Sequence, residues 1–301
     1  MIVLLSVLGA LIAIFIILTI VAVFKKPGSV YKNKPEEQNP MEGKMVRFVE
    51  NADEKENADG VKGHLEAVGA VDHKPSIYEK VFKRLIDIVL SFFGLIILSP
   101  VFLAITLWII IDDPGPVLFT QKRLGRNKQY FKLHKFRSMK MSTPHDRPTH
   151  MLENPQQYIT KAGKFIRAHS LDELPQIWDI FIGNMSVIGP RPGLWNQDLL
   201  TAERDKYGAN DIKPGLTGWA QINGRDELEI PVKAKLDGEY AEAMKAGKGL
   251  KMDIKCFLGS LGVFAGDKSV VEGGTGEMKK AEEQKTVEQT EKTEEKETIA
   301  K

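Results

Sequence analysis

A single cysteine, Cys256, is all the thiol chemistry the chain offers, so no intramolecular disulfide can form and zinc-type cysteine spacing is absent. That scarcity fits a reducing compartment. Net charge is nearly missing too. The 42 Lys and Arg stand against 40 Asp and Glu, +2 overall, which removes bulk basicity as an argument for nucleic acid. No P-loop, dinucleotide fingerprint or HExxH helix occurs, and no GxSxG elbow, so the usual hydrolase and kinase readings lose support. No internal repeat is visible in the 301 residues, a length that suits one sizeable domain with appendages.

What the chain does have is contrast, two very apolar stretches set among two very polar ones. Ile2 to Phe24 is almost unbroken apolar sequence, long enough to match the hydrocarbon thickness of a bilayer. A cleaved signal peptide is the competing reading, but no basic segment precedes the run and no small-x-small site follows it. Residues 1–25 are therefore read as an N-terminal transmembrane helix. Lys25 and Lys26 then place its C-terminal end in the cytoplasm. Residues 26–77 are polar and poor in large apolar side chains, and predict a linker with at most one short helix. Residues 267–301 open on Gly273-Gly274-Thr275-Gly276, are rich in Lys, Glu and Thr, and predict a disordered or weakly helical tail.

The informative domain lies between, at 78–266. It opens with Lys80, Lys83 and Arg84 and continues into a second apolar run, 85–111. As one straight helix this run would extend roughly 40 Å, enough to cross a bilayer. Ser99-Pro100 interrupts it, and proline removes a backbone donor and kinks a helix. Basic residues also follow the far end, from Lys122 through Lys140, as they precede the near one. Cations on both sides are awkward for a span and natural for a re-entrant hairpin that returns to its own side. A kinked helix that spans regardless is the competing reading.

From Gly115 the pattern becomes that of a small α/β domain. Val117–Gln121 and Tyr130–Phe136 predict strands, and Leu171–Phe181 predicts a helix with Ser170 and Glu173 as a capping box. The stretches 183–192 and 213–218 predict turn-rich loops. Met252–Phe264 is apolar on one face and predicts an interfacial amphipathic helix on the membrane surface.

Asp172 and Glu173 are adjacent carboxylates near a predicted helix start, where the local field favours negative charge. Neighbouring side chains diverge on a helix, so one can attack phosphorus while the other holds a divalent metal. The plainer reading is that both merely occupy favourable first-turn positions. Gly189-Pro190-Arg191-Pro192 fixes an arginine between two prolines, a rigid presentation of a planar guanidinium to phosphate. Lys135-Phe136-Arg137-Ser138-Met139 adds two cations and a hydroxyl. For Lys122, Arg126 and Lys128, contact with anionic lipid headgroups is the simpler expectation.

With these motifs in hand the domain strongly resembles the bacterial sugar transferase family, the monotopic phosphoglycosyl transferases. The resemblance rests on the Ser99-Pro100 hairpin, Lys135–Met139, Ser170–Gln176, Asn184–Pro192 and Lys213–Arg225, in that order. It implies that Asp172 attacks the sugar-bearing phosphate of a UDP-sugar and expels UMP, and that polyprenyl phosphate then takes the phosphosugar. It implies that Glu173 helps hold Mg²⁺ and that Lys135, Arg137, Arg167 and Arg191 balance phosphate charge. Gln221, Asn223 and Arg225 are implied as a substrate loop, and Ser99 and Pro100 as the re-entrant break. A bacterial plasma-membrane location follows, with the domain on the cytoplasmic face among membrane lipid and the first step of surface polysaccharide assembly as its task. The resemblance leaves homo-oligomers open. Trp195–Asp198 and Asp226–Leu228 are similar to relatives that handle N-acetylated amino sugars. Asn184 and His169 depart from the family pattern, in which Asp is common at the first position and Thr or Leu at the second. The competing functions are a UDP-releasing glycosyltransferase and a non-catalytic membrane scaffold.

Overall fold

The computed structural model describes residues 38–71, 73–143, 155–224 and 228–266. The expected transmembrane helix at 1–25 and the tail at 267–301 lie outside the described residues. The described chain is a mixed helix and sheet domain with three two-stranded sheets. One pairs β1 (Lys44–Glu50) with β2 (Gly63–Ala70), the next β3 (Leu118–Leu124) with β4 (Tyr130–Phe136), and the last β5 (Ser186–Ile188) with β6 (Gly215–Thr217). The first two pairs are antiparallel and the third is parallel.

The two apolar helices come first among the domain's elements. A π-helical turn (Tyr78–Phe82) leads into α1 (Lys83–Ile97), and α2 (Ser99–Asp112) follows after a bend of 59°. The cause is chemical. Pro100 has no N–H to give the carbonyl of Ile96, and Ser99 Oγ donates to that oxygen instead, at 2.7 Å. Among the described residues no single helix is long and apolar enough to cross a membrane, although this bent pair together has the length and apolar composition to do so. Its outer surface carries exposed Leu90, Phe93, Ile97, Leu103, Leu107 and Ile111.

The inner face of α1 is polar and pins the pair to the domain. Arg84 donates to the carbonyls of Ile180 and Phe181, both at 2.7 Å. Asp87 accepts from Ser186 Oγ and from the Val187 amide, both at 2.9 Å. Asp253 accepts from Lys83, Tyr78 and Tyr240, tying α1 to α7 (Ile230–Lys245), which follows the short α6 (Trp219–Ile222), and to α8 (Gly249–Gly266). Beside this knot, Ile188, Ile212, Tyr240, Met244 and Cys256 form one buried cluster. A second gathers Ile105, Ile109, Phe136, Ala162 and Ile166, joining α2 to β4 and α3 (Lys161–Ala168). Exposed Leu250, Ile254, Phe257, Leu258 and Leu261 give α8 the apolar outer face its sequence predicted.

Several expectations need correction. Residues 44–70 are a hairpin rather than a linker with a short helix, and it is docked on the domain. Polar composition left it no core of its own, and the anchor is instead a buried carboxylate. Asp205, in α5 (Asp198–Asp205), accepts from the Val46 amide at 2.8 Å and from Lys128 Nζ at 2.9 Å. The hairpin loop also lends its Asp59 carboxylate to the Leu200 amide of α5 at 3.1 Å, a cap that the helix's own Gln197 does not supply. Lys128, expected at lipid headgroups, is therefore 0% exposed. Arg126 donates to the Asp211 carbonyl, and Lys122 lies over the rings of Tyr130 and Trp195.

The predicted capping box does not form. Ser170 has a left-handed φ of 53° and caps nothing, and Leu171–Glu173 is a separate 3-10 turn. Pro175 cannot donate to Leu171, so α4 begins only at Gln176 (Gln176–Ile182). Gly183 ends that helix with φ 96°, packed on Arg84. The loops expected at 183–192 and 213–218 contain β5 and β6, too short for a periodicity to register.

Candidate active site

The 3-10 turn brings the two carboxylates to different surroundings. Asp172 is 4% exposed, and its Oδ1 is buried without a hydrogen-bond partner among the described residues. Its Oδ2 lies 3.7 Å from Lys135 Nζ. Burial pushes the Asp172 carboxyl above its ordinary range, the Lys135 charge opposes this, Glu173 adds to it, and Arg167 opposes it more weakly. Glu173, by contrast, is gripped. Its Oε1 accepts from Lys135 Nζ at 2.8 Å and from Arg191 Nη2 at 2.5 Å, and its Oε2 from Arg191 Nη1 at 3.2 Å.

Each cation has a structural reason to be there. Lys135 lies on β4, whose Leu133 and Phe131 face the buried Ile180 and Met185 of the same side. Arg191 follows β5, and its neighbour Pro192 is held by Arg123 Nη1 at 2.9 Å while Leu124 donates to the Gly193 carbonyl at 3.0 Å. The arginine loop is thus hung from the edge of β3. Gly189 packs against Lys213 and Gly215 so closely that a Cβ would meet the Lys213 carbonyl at 2.4 Å.

The structure therefore unites Asp172, Glu173, Lys135 and Arg191. Arg167, half buried at the end of α3, acts on Asp172 through its charge. Arg137 does not join the group. Its guanidinium holds Asp113 Oδ2 at 2.9 Å and the Asp113 carbonyl, which closes the end of α2. Asn223 is exposed and donates to the Trp219 carbonyl at 2.7 Å, while the amide of Gln221 is buried without a partner among the described residues. Arg225 lies outside the described residues. His169 stacks on Phe165 at 4.3 Å and touches neither carboxylate.

One pair escaped the sequence reading. Asp179, buried in α4, accepts from the His134 backbone at 2.9 Å and from its Nδ1 at 2.8 Å. That bond holds the His134 imidazole above its ordinary pKa, against an opposing effect of burial. It lashes α4 to β4 one residue from Lys135. Histidine and aspartate 45 residues apart give no local signal.

No cluster of three or more His, Cys, Asp or Glu side chains suited to a metal occurs among the described residues. Mg²⁺, however, commonly uses one or two carboxylates together with substrate phosphates. Asp172 and Glu173 supply that donor number, so they fit Mg²⁺ brought with a diphosphate rather than in a cage of their own.

An uncommitted buried carboxylate oxygen thus lies beside a carboxylate clamped by two cations. Comparison with known proteins gives the family of the chain. The model of the bacterial sugar transferase family matches residues 78–266, and the chain belongs to that family. A UDP-glucose:undecaprenyl-phosphate glucose-1-phosphate transferase of Klebsiella pneumoniae is 39% identical over 189 residues, 62% of this chain and 40% of that protein. An undecaprenyl-phosphate galactose phosphotransferase of Salmonella typhimurium is 34% identical over 181 residues, 53% of this chain and 36% of that protein. An exopolysaccharide production protein of Rhizobium leguminosarum is 35% identical over 164 residues, 52% of this chain and 80% of that protein. The chain thus spans well under half of the first two relatives.

Proposed function

We propose that this chain transfers a sugar-1-phosphate from a UDP-sugar to polyprenyl phosphate on the cytoplasmic face of a bacterial plasma membrane, as the first membrane step of surface polysaccharide assembly. The observation that carries this reading is the asymmetry of the dyad: Asp172 keeps a free buried oxygen, while Glu173 is held by Lys135 and Arg191. Asp172 attacks the sugar-bearing phosphorus, the bond to UMP breaks, and UMP departs with the electron pair. An oxygen of polyprenyl phosphate then attacks the same phosphorus, and the Asp172 carboxylate is released. The carboxylate thereby divides one displacement between two charged partners into two steps.

Lys135 and Arg191, already converged on Glu173, would meet the diphosphate charge as the donor enters. Glu173 is the residue that would hold Mg²⁺, which when bound neutralises diphosphate charge. The bent helix pair would lie in one leaflet, leaving the dyad on the side where nucleotide sugars are made.

The test is the nucleotide product of detergent-solubilised protein given a panel of UDP-sugars. UMP supports the reading, and UDP would assign the chain to a direct glycosyltransferase. The panel includes glucose and galactose, which the names of relatives carry, and the N-acetylated amino sugars expected from residues 195–198. Omitting Mg²⁺ from the same assay should abolish turnover.

A further inference from the structure

A cavity of about 420 Å³ lies between α2, the β3–β4 ribbon and the start of α4. Phe102 and Thr106 line it from one face of α2, Val117 and Leu118 from the entry to β3, and Pro175 and Trp178 from the segment that follows the dyad. Two of these lining residues, Leu118 and Trp178, are each 47% exposed, so the cavity opens on an apolar surface. Pro175 is two residues beyond Glu173, so the cavity runs from the apolar surface to the flank of the reactive turn.

The lining is apolar except for Thr106 and His134, and His134 is the one ionisable side chain in it. Its Nδ1 is committed to Asp179 at 2.8 Å, which fixes the ring and leaves Nε2 with no hydrogen bond among the described residues. An apolar cavity with one oriented polar ring at its wall suits an amphiphile with a hydrocarbon chain and an anionic head. It does not suit a nucleotide or a free sugar, whose hydroxyls would lose their water without finding partners.

We propose that this cavity seats the isoprenoid units next to the phosphate of the acceptor, with Nε2 of His134 facing the phosphate end. This rests on the acceptor reading given above and adds where the acceptor binds. The chain enters from the lipid side along α2, and the donor reaches the dyad from the side of Lys135 and Arg191. Successive residues of β4 point to opposite faces, so His134 serves the cavity and Lys135 the dyad, and the acceptor phosphate meets the phosphosugar at the Pro175 end, where the cavity flanks the reactive turn. The first half-reaction therefore needs nothing from the cavity, and the second does.

The experiment separates the halves. Without acceptor, the parent protein and UDP-sugar should release about one equivalent of UMP; with polyprenyl phosphate, turnover follows. Thr106→Trp and, independently, Val117→Phe fill the cavity. Each should keep the single-equivalent release and raise the acceptor KM at least tenfold. His134→Phe should raise it severalfold, and His134→Gln, which restores a donor, should recover most of the loss. Release intact with an unchanged acceptor KM in both filling variants overturns the proposal. A variant that loses the first half-reaction has lost its fold, and the question passes to photolabelling of the parent. A diazirine-bearing prenyl phosphate should label the peptides of Phe102 and Trp178, and excess phosphatidylethanolamine should not compete. Labelling by a phospholipid probe instead makes the occupant a bilayer lipid and overturns the proposal. Absence of any UMP in the parent refutes the transferase reading itself, while the photolabel still reports what fills the cavity.

Discussion

Arg191→Lys is the sharpest single change, because it keeps the charge and removes only geometry. The guanidinium spans Glu173 with two donors, at 2.5 and 3.2 Å, and these side chains are 22% and 12% exposed. A lysine ammonium can reach one of the two oxygens. One charge-assisted hydrogen bond is worth about 1.5–3 kcal/mol when both groups are mostly shielded from water. If Glu173 is held this way when the transition state forms, kcat/KM should fall roughly 10- to 150-fold, since each 1.36 kcal/mol is tenfold in rate. The assay is initial UMP release across donor concentrations, with Tm recorded in the same detergent. A variant within threefold of the parent, at unchanged Tm, would refute the clamp as a functional element and leave Arg191 a turn residue.

Four further outcomes follow from the structure. Asp172→Asn should abolish UMP release and the trapped covalent adduct, and residual turnover above a thousandth of the parent would remove Asp172 as nucleophile. Because burial raises the Asp172 pKa in the folded state, its ionised form opposes folding above the unfolded value. The acid limb of kcat/KM should therefore lie above the ordinary carboxylate range, and the inactive Asn variant should melt higher than the parent at pH 7 but not at pH 3; a lower Tm at pH 7 contradicts this. Lys128→Met leaves the Asp205 carboxylate buried and unmatched by charge, and should cost about 3–5 kcal/mol; protease cleavage within 51–62 should rise, and an uncut hairpin would show that the node does not hold it. Ser99→Ala with Pro100→Ala should straighten the bend and move part of the population across the bilayer. Impermeant labelling of single cysteines near Lys80 and Lys122 reads this, and outside labelling near Lys122 in the parent refutes the re-entrant topology.

The strand predicted at 117–121, which runs 118–124, the strand at 130–136 and the break at Ser99-Pro100 are legible because each is local. Alternation fixes a strand face within a few residues, and a proline's lost donor is repaired by the next hydroxyl. Asp172, Glu173, Lys135 and Arg191 were legible as residues, but not the partition that leaves one carboxylate free and the other bound. That partition depends on Pro175, which starts the following helix late and turns the dyad into a 3-10 turn facing β4. Arg137 reads in the sequence as a further phosphate cation, and the partner that holds its guanidinium, Asp113, lies 24 residues earlier, too far for a local signal. The hairpin at 44–70 was missed for a related reason. Low hydrophobicity ordinarily signals a linker, and here the docking is made by Asp205 and Lys128, polar groups whose pairing has no period in the sequence.

The lone cysteine decides how such labelling can be carried out. Cys256 is 0% exposed in the cluster beneath α8, and burial, with the Asp253 charge adding to it, pushes its thiol up to about 12. At pH 7 the thiolate is then on the order of one molecule in 100,000, and the thiolate is the form that attacks a maleimide. The natural protein should therefore behave as cysteine-free toward reagents in water while it is folded. Reporter cysteines can be introduced without replacing Cys256 or disturbing the packing around it. Labelling of Cys256 would then register unfolding, giving every topology measurement its own internal control.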